Sequence, residues 1–430
     1  MIIDKKFSIK FQNDRFGYLD AFGLKEEHIV SPYNGLVLPD IPPQITHIVG
    51  ESGSGKSQLC LILQENWNFS PLLIPPKCQS LCEIIGERKE DIDRCIYYLN
   101  YVGLSDARLY YTPTWCLSDS QKFRLSIAYS LLLKTAVNGF IIDEFLSTLD
   151  RDTAKSIAFL IQKLVRQKNI KVVLATAHND LIEYIKPDLL IEGNAFPERF
   201  EIFPTTKIEL KSIGYNIKQC TKDVYKESRL GELHYKGKYT GGTKEFFVVR
   251  TNNSNKEIGF LVSASVGNDI EKKRRIARVV IHPSYRGIGI GTALVAEYLK
   301  WCKKNAIKKV FAVSALGIFN PFFEKAGMIR CDNYIVEPSD SLVKSLVLNG
   351  FYTDKWFSKE YCVNICNNSS IRHILSTNVS KNSARILNPG GKKLTQNELK
   401  KMIETDNTQS GRLLWTMRPR ILAKYIIDLN

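Results

Sequence analysis

The sequence predicts an α/β protein made of two unlike modules in succession, and three observations carry that expectation. An apolar run, a glycine-rich turn and a helix-patterned stretch follow one another twice, over residues 45–63 and again over 276–299. Strand and helix patterns alternate in the first 200 residues, whereas the second turn is preceded by several strands in a row. The chain has 430 residues, 44% of them hydrophobic, enough for more than one core, since domains run to about 100–200 residues. The expected boundaries are 1–200, 201–345 and a basic extension, 346–430, packing on the second module.

Residues 1–44 contain Phe7-Ser8-Ile9-Lys10-Phe11, which alternates as a strand does, and end in Pro42-Pro43. Phe16, Tyr18 and Tyr33 are each candidates to stack on a base and equally candidates for packed rings. The run Ile45 to Val49 then leads into Gly50-Glu51-Ser52-Gly53-Ser54-Gly55-Lys56-Ser57 and the helical Gln58-Leu59-Cys60-Leu61-Ile62-Leu63. Glycines let successive backbone N–H groups turn inward around a phosphate chain, Lys56 reaches the outer phosphates and the Ser57 hydroxyl suits Mg²⁺. The helix adds its positive end to the same anion. Nucleoside triphosphate binding is the first expectation.

Gln79 is the candidate for a Mg²⁺-sensing glutamine. Leu117-Ser118-Asp119-Ser120-Gln121 opens an amphipathic helix, so its N–H groups also favour an anion. Phe140-Ile141-Ile142-Asp143-Glu144 is a buried-strand run closed by two acids, which places Asp143 on Mg²⁺ and leaves Glu144 to orient water. Ser147-Thr148-Leu149-Asp150 follows, and a further strand, Val172 to Ala177, ends in His178.

In that order these motifs resemble the ATP-binding-cassette (ABC) ATPases over residues 30–195. The resemblance implies an ATP-driven homodimer, with nucleotide sandwiched between the phosphate loop of one subunit and Ser118, Ser120 and Gln121 of the other, Asp150 alongside. It implies Glu144 as general base and His178 as sensor of the γ-phosphate. The family's signature has two glycines where Asp119 and Ser120 stand here, and the segment between loop and signature is short. No apolar run of about 18 residues is present to span a bilayer, so a transport role requires a separate membrane chain.

Past Pro197 and Pro204, strands at 246–250 and 258–263 flank the polar turn Asn252-Asn253-Ser254-Asn255. Ile276-Ala277-Arg278-Val279-Val280-Ile281-His282-Pro283 runs into Tyr285-Arg286-Gly287-Ile288-Gly289-Ile290-Gly291-Thr292, a second anion cradle with Arg286 at its mouth. A dinucleotide site is disfavoured, because no acid stands about 20 residues further on for the ribose. With Asn320-Pro321-Phe322-Phe323-Glu324-Lys325-Ala326-Gly327-Met328, this pattern resembles the GCN5-related N-acetyltransferase (GNAT) family, a mixed α/β fold, over residues 205–345. The resemblance implies acetyl-CoA, its pyrophosphate on Gly287, Ile288, Gly289, Ile290, Gly291 and Thr292 and its pantetheine arm on the backbone of Val279, Val280 and Ile281, with Asn320 and Phe323 nearby. Phe323 stands where the family often has the tyrosine that protonates the departing thiolate. His234 and Tyr235 are candidate acid/base residues and equally structural ones. The fusion of the two modules is similar to a small family of microbial and phage proteins, and its acetyltransferase half somewhat resembles the phage Mom-type enzymes that modify adenine in DNA.

The formal net charge is +16, and from Ser341 onward 14 Lys/Arg face 6 Asp/Glu. With Lys272-Lys273-Arg274-Arg275, and with aromatics such as Trp356 near Arg372 and Asn388-Pro389-Gly390-Gly391-Lys392-Lys393, this suggests a nucleic acid partner. The ten cysteines form no Cys-x-x-Cys pair and the N-terminus lacks a signal-peptide pattern, so a reducing, cytoplasmic setting is expected. Two further function classes remain open at this point: an ATP-gated binding module with a non-catalytic acetyltransferase fold, and a transporter-associated ATPase.

Overall fold

The computed structural model describes residues 1–10, 27–33, 35–86, 88–133, 138–195, 198–234, 242–267, 272–331, 335–378 and 394–429. Tyr235, Phe16, Tyr18 and the 388–393 segment lie outside them. The chain divides into two units, one of residues 1–312, 319–329 and 425–430, the other of 313–318 and 330–424.

The first unit carries both predicted turns. Its N-terminal sheet consists of β1 (Ile45–Gly50), β2 (Ser70–Pro71), β3 (Phe140–Ile142), β4 (Val172–Thr176), β5 (Leu189–Ala195) and β6 (Glu198–Phe203), in the order β6-β5-β1-β4-β3-β2. All neighbours are parallel except β5 and β6. β1, β3 and β4 are buried nearly throughout, as continuous apolar runs must be when helices cover both faces. The helices are α1 (Lys56–Trp67), α2 (Lys89–Tyr101), α3 (Asp119–Leu133) and α4 (Arg151–Lys168). α4 buries Ala154, Ile157, Ala158, Ile161, Leu164 and Val165 on one stripe, and Asp150 caps it by accepting from the Thr153 N–H at 3.0 Å.

A second, mixed sheet contains β7 (Tyr215–Cys220), β8 (Thr243–Thr251), β9 (Glu257–Ser265), β10 (Lys273–Ile281), β11 (Lys309–Ser314), β12 (Ile329–Cys331) and β13 (Ala423–Asp428), in the order β7-β8-β9-β10-β11-β13-β12. Strands β7 to β10 pair antiparallel, and β11 lies parallel to β10. Helix α5 (Ile290–Lys304) follows the second glycine turn and buries Leu294, Val295, Tyr298 and Leu299. The end of the chain returns to this unit: Leu429 N–H donates to Lys308 O at 2.9 Å, and the Tyr425 ring lies 5.0 Å from that of Phe323.

The second unit contains α6 (Asp340–Leu348), α7 (Lys359–Ile365), α8 (Ser369–Thr377), α9 (Gln396–Thr405) and α10 (Asn407–Met417). Its apolar core includes Leu346, Cys362, Cys366, Ile371, Leu375, Ile403 and Leu414. Trp356 is buried there and its indole N–H donates to Leu414 O at 2.7 Å, which removes it from any role stacking on exposed bases. Arg372 is likewise engaged, donating to Cys366 O, Asn367 O and Glu404 O at the ends of α7 and α9.

Candidate functional site

The parallel neighbours β1, β4 and β3 end at one edge of their sheet, and from that edge leave Gly50, His178 and Asp143-Glu144. Ligands of open α/β sheets sit outside such carboxyl ends. Gly50 has no alternative there: a Cβ would meet Gly193 O of β5 at 2.1 Å. Gly53 and Gly55 take positive φ, 84° and 95°, which aims the loop back over the first turn of α1. Lys56 is buried, its Nζ 2.9 Å from Gly50 O and 2.6 Å from Glu51 O, so its charge stays within the loop. Ser57, Gln58, Glu51 and Ser52 are exposed, while Ser54 is buried.

Asp143 reaches the same place. Burial pushes the Cys60 thiol on α1 up to about 12, the Asp143 carboxylate adds to the rise and Lys56 opposes it. Asp143 Oδ1 accepts from Glu144 N–H at 2.9 Å, and Glu144 takes φ 50° in a tight turn held by Phe145 N–H on Ala175 O. Asp143 and Glu144 are exposed and His178 is half-buried, its N–H donating to Thr176 Oγ1.

The other expected members have contacts of their own. Tyr33 is a packed ring: it is buried 5.3 Å from Phe200, and its hydroxyl donates to Gly55 O at 3.0 Å, bracing the loop. Gln79 has an exposed side chain and its carbonyl accepts from Thr114 N–H and Oγ1, so it is tied to the approach to the signature. Ser118 is exposed, with Gln121 Oε1 accepting from its N–H at 3.0 Å and Ser120 Oγ at 3.3 Å from its own hydroxyl. Asp150 is the cap of α4.

In the second sheet the decisive feature is an opening. β10 pairs with β9 as far as Ile281, yet with β11 only from Lys273/Lys309 to Ile276/Ala312. Among the described residues the backbone edge of Val279 and Ile281 that faces away from β9 therefore has no strand beside it, and Ile281 O on that edge accepts from Arg286 Nε. At the end of that edge Gly287 and Gly289 take φ 87° and 106°, and α5 begins with Ile290, Gly291 and Thr292. A Cβ on Gly291 would lie 3.8 Å from Ile281 Cγ1 and from Phe322 Cδ2.

Arg286 is not at the mouth of this turn. Its side chain is buried, Nε donating to Ile281 O at 2.9 Å and Nη1 lying 3.6 Å from Asp106 Oδ2, and burial holds its pKa below the usual arginine value. A buried guanidinium needs a carboxylate, and Asp106 supplies it. Phe323 is buried between Phe322, at 4.1 Å, and Tyr425. His234 is half-buried, its N–H on Gly231 O. The basic run before β10 is partly structural too: Arg274 is buried against Glu245 at 3.0 Å, and Glu245 also accepts from Ser263 Oγ. Lys272 and Arg275 are exposed.

Residues 215–328 match the Acetyltransferase (GNAT) family. Over 190 residues, 42% of this chain, the sequence is 27% identical to the methionine import ATP-binding protein MetN of Vibrio cholerae. The chain thus carries a region similar to ABC-type ATP-binding proteins followed by a region that matches the GNAT acetyltransferase family. It spans about half the length of that import protein, 54%. Among solved structures, a dimeric bacterial ABC transporter cassette aligns with 49% of this chain and 98% of its own, at TM-score 0.35 and 16% identity. An acetyltransferase from Bacillus anthracis in complex with acetyl coenzyme A aligns with 21% and 51%, at TM-score 0.18 and 20% identity. Among the described residues no helix is long and apolar enough to cross a membrane.

Proposed function

We propose that the chain hydrolyses ATP in its ABC-type region and transfers an acetyl group from acetyl-CoA to an amine in its GNAT region. The observation that carries the second half is the open β10 edge ending in a glycine turn with two positive φ angles. In this reading Gly287 to Thr292 offer backbone N–H groups to the pyrophosphate and Val279 to Ile281 pair with the pantetheine arm. The amine nitrogen attacks the thioester carbonyl, the C–S bond breaks, and the thiolate takes up the proton that the amine loses. Phe323 cannot donate it; His234 is the described residue proposed to move that proton, with Tyr235 its sequence neighbour.

In the ATPase half, Lys56 and the loop amides hold the phosphates, Ser57 and Asp143 hold Mg²⁺, Glu144 takes the proton of the attacking water and His178 faces the γ-phosphate. Mg²⁺ supplies charge neutralisation of the phosphates when bound. A second copy contributes Ser118, and the active species is a homodimer. The acceptor is proposed to be a nucleic acid base, supported by the +16 charge of the chain and the exposure of Lys272 and Arg275.

The test is transfer from labelled acetyl-CoA, with ATP and Mg²⁺, to DNA, RNA and protein offered separately, followed by mass analysis. Label on a nucleoside is expected. Label on protein alone overturns the acceptor, and coenzyme A bound without any transfer favours a non-catalytic module, the reading that the burial of Phe323 at the tyrosine position supports.

A further inference from the structure

Within the first unit, side chains of the ATPase region reach across to the segment that leads into the acyl-CoA turn. Arg124, in the second turn of α3, is 2% exposed and donates through Nη1 to Pro283 O at 3.2 Å and through Nη2 to Ser284 O at 3.0 Å. Ser156 of α4, fully buried, donates its hydroxyl to the same Ser284 O at 2.8 Å. Asp106 pairs with Arg286, and Lys163 Nζ lies 3.4 Å from Gly287 O. The approach is close enough that a Cβ on Gly103 would meet Arg286 O at 2.6 Å, and one on Gly287 would meet Leu160 Cδ1 at 2.8 Å.

Two properties of this junction matter. It engages the carbonyl groups Pro283 O, Ser284 O and Gly287 O, while the N–H groups of Ser284, Tyr285 and Arg286 are bonded locally to His282 and Pro283. It also rests on a desolvated cation: burial brings Arg124 down to about 10, with Arg286 adding to the fall, so it is charged at neutral pH. Pulling a charged donor away from its buried acceptors is costly. Helix α3 is thereby tied to residues 283 and 284, and α4 to Ser284 and Gly287. The free end of α3 carries Ser118, Ser120 and Gln121, where nucleotide would act.

We propose that nucleotide binding in the ATPase region sets the affinity of the 286–292 turn for coenzyme A, with Arg124 as the positioning residue that transmits it. The inference rests on the two ligand sites proposed above. Linkage makes the effect reciprocal, so each ligand shifts the affinity of the other by the same factor.

The experiment uses the full chain and calorimetry. The Kd of coenzyme A is measured with and without a saturating non-hydrolysable ATP analogue and Mg²⁺, and the Kd of the analogue with and without coenzyme A. Both are expected to shift by one common factor of about fivefold or more, the lower end of typical couplings. In Arg124→Lys, which keeps the charge but not the two-pronged donor, the factor falls toward one while both ligands still bind; Ser156→Ala, a milder change, lowers it less. A factor of one in the unaltered protein, or an unchanged factor in Arg124→Lys, overturns the inference. No coenzyme A binding at all sinks the acyl-CoA reading and the inference with it, a result distinct from binding that nucleotide leaves unmoved.

Discussion

The two glycine turns of this protein share a strand before, positive φ angles within and a helix after, and they differ in what became of the cation. Lys56 remains inside its loop, held on Gly50 O and Glu51 O, bonds to neutral carbonyls that a phosphate chain outcompetes. Arg286 has turned away from its loop and is paired with a buried carboxylate of the neighbouring region. The glycines of such a motif are dictated by backbone geometry and keep their meaning. The basic residue keeps its meaning only if nothing nearby offers it a better partner.

The sharpest way to break this comparison is to delete both cations. Lys56→Ala removes the charge proposed to face the phosphates and is expected to lower kcat/KM for ATP by about 100-fold or more, on the scale of losing one preorganised electrostatic group. Steady-state hydrolysis checks it, and a loss below tenfold would place Lys56 outside the site. Arg286→Met is expected to do the reverse. It destabilises the fold by about 1–3 kcal/mol, since Ile281 O loses its donor and Asp106 keeps only Arg108, at 2.7 Å. The affinity for coenzyme A should change by less than tenfold. Urea midpoints and coenzyme A titration read the two quantities, and unchanged stability with a 100-fold loss of affinity would return Arg286 to the ligand.

That contrast also marks what was legible in the sequence. Elements whose periodicity and order are local were readable: the parallel run of β1, β3 and β4, the helix opened by Ser118, and the strand, turn and helix around Gly287. So was the clustering of Gly50, Asp143, Glu144 and His178, because strand ends of one parallel sheet share an edge. What could not be read were choices of long-range partner. Tyr33 bracing Gly55, Asp106 drawing in Arg286, and Arg124 reaching Pro283 all join residues far apart in the chain, and nothing in their neighbours signals it. The same holds for Arg274, Arg372 and Trp356, which look like parts of a basic, aromatic surface and are spent on Glu245 and on helix ends. Charge counts treat every cation as available, and burial decides which ones are.

A smaller effect separates the two turns by pH, because a histidine lies in the strand that feeds one and just after the strand that feeds the other. His47 in β1 is fully buried, and burial lowers its pKa from 6.5 to about 3. His282, just after β10, is lowered too: burial acts first, then Lys256 and Arg286, with Asp150 opposing. Both are therefore favoured neutral in the fold, and the unfolded chain takes up the proton first. The stability that His47 contributes is fully present above about 6.5 and is lost as pH falls toward about 3. In that window the slope of stability with pH should be steeper in the unaltered protein than in His47→Leu, by up to about 1.4 kcal/mol per pH unit, the value for one proton. Urea midpoints taken at successive pH values read the difference directly. His282→Gln should flatten the same curve in the same direction, because burial of the half-buried ring also lowers its pKa. Equal slopes in the unaltered protein and His47→Leu would mean that the strand feeding the phosphate loop opens far enough at mild acidity to let the imidazole charge in place, and the phosphate loop would then be the more pliable of the two turns.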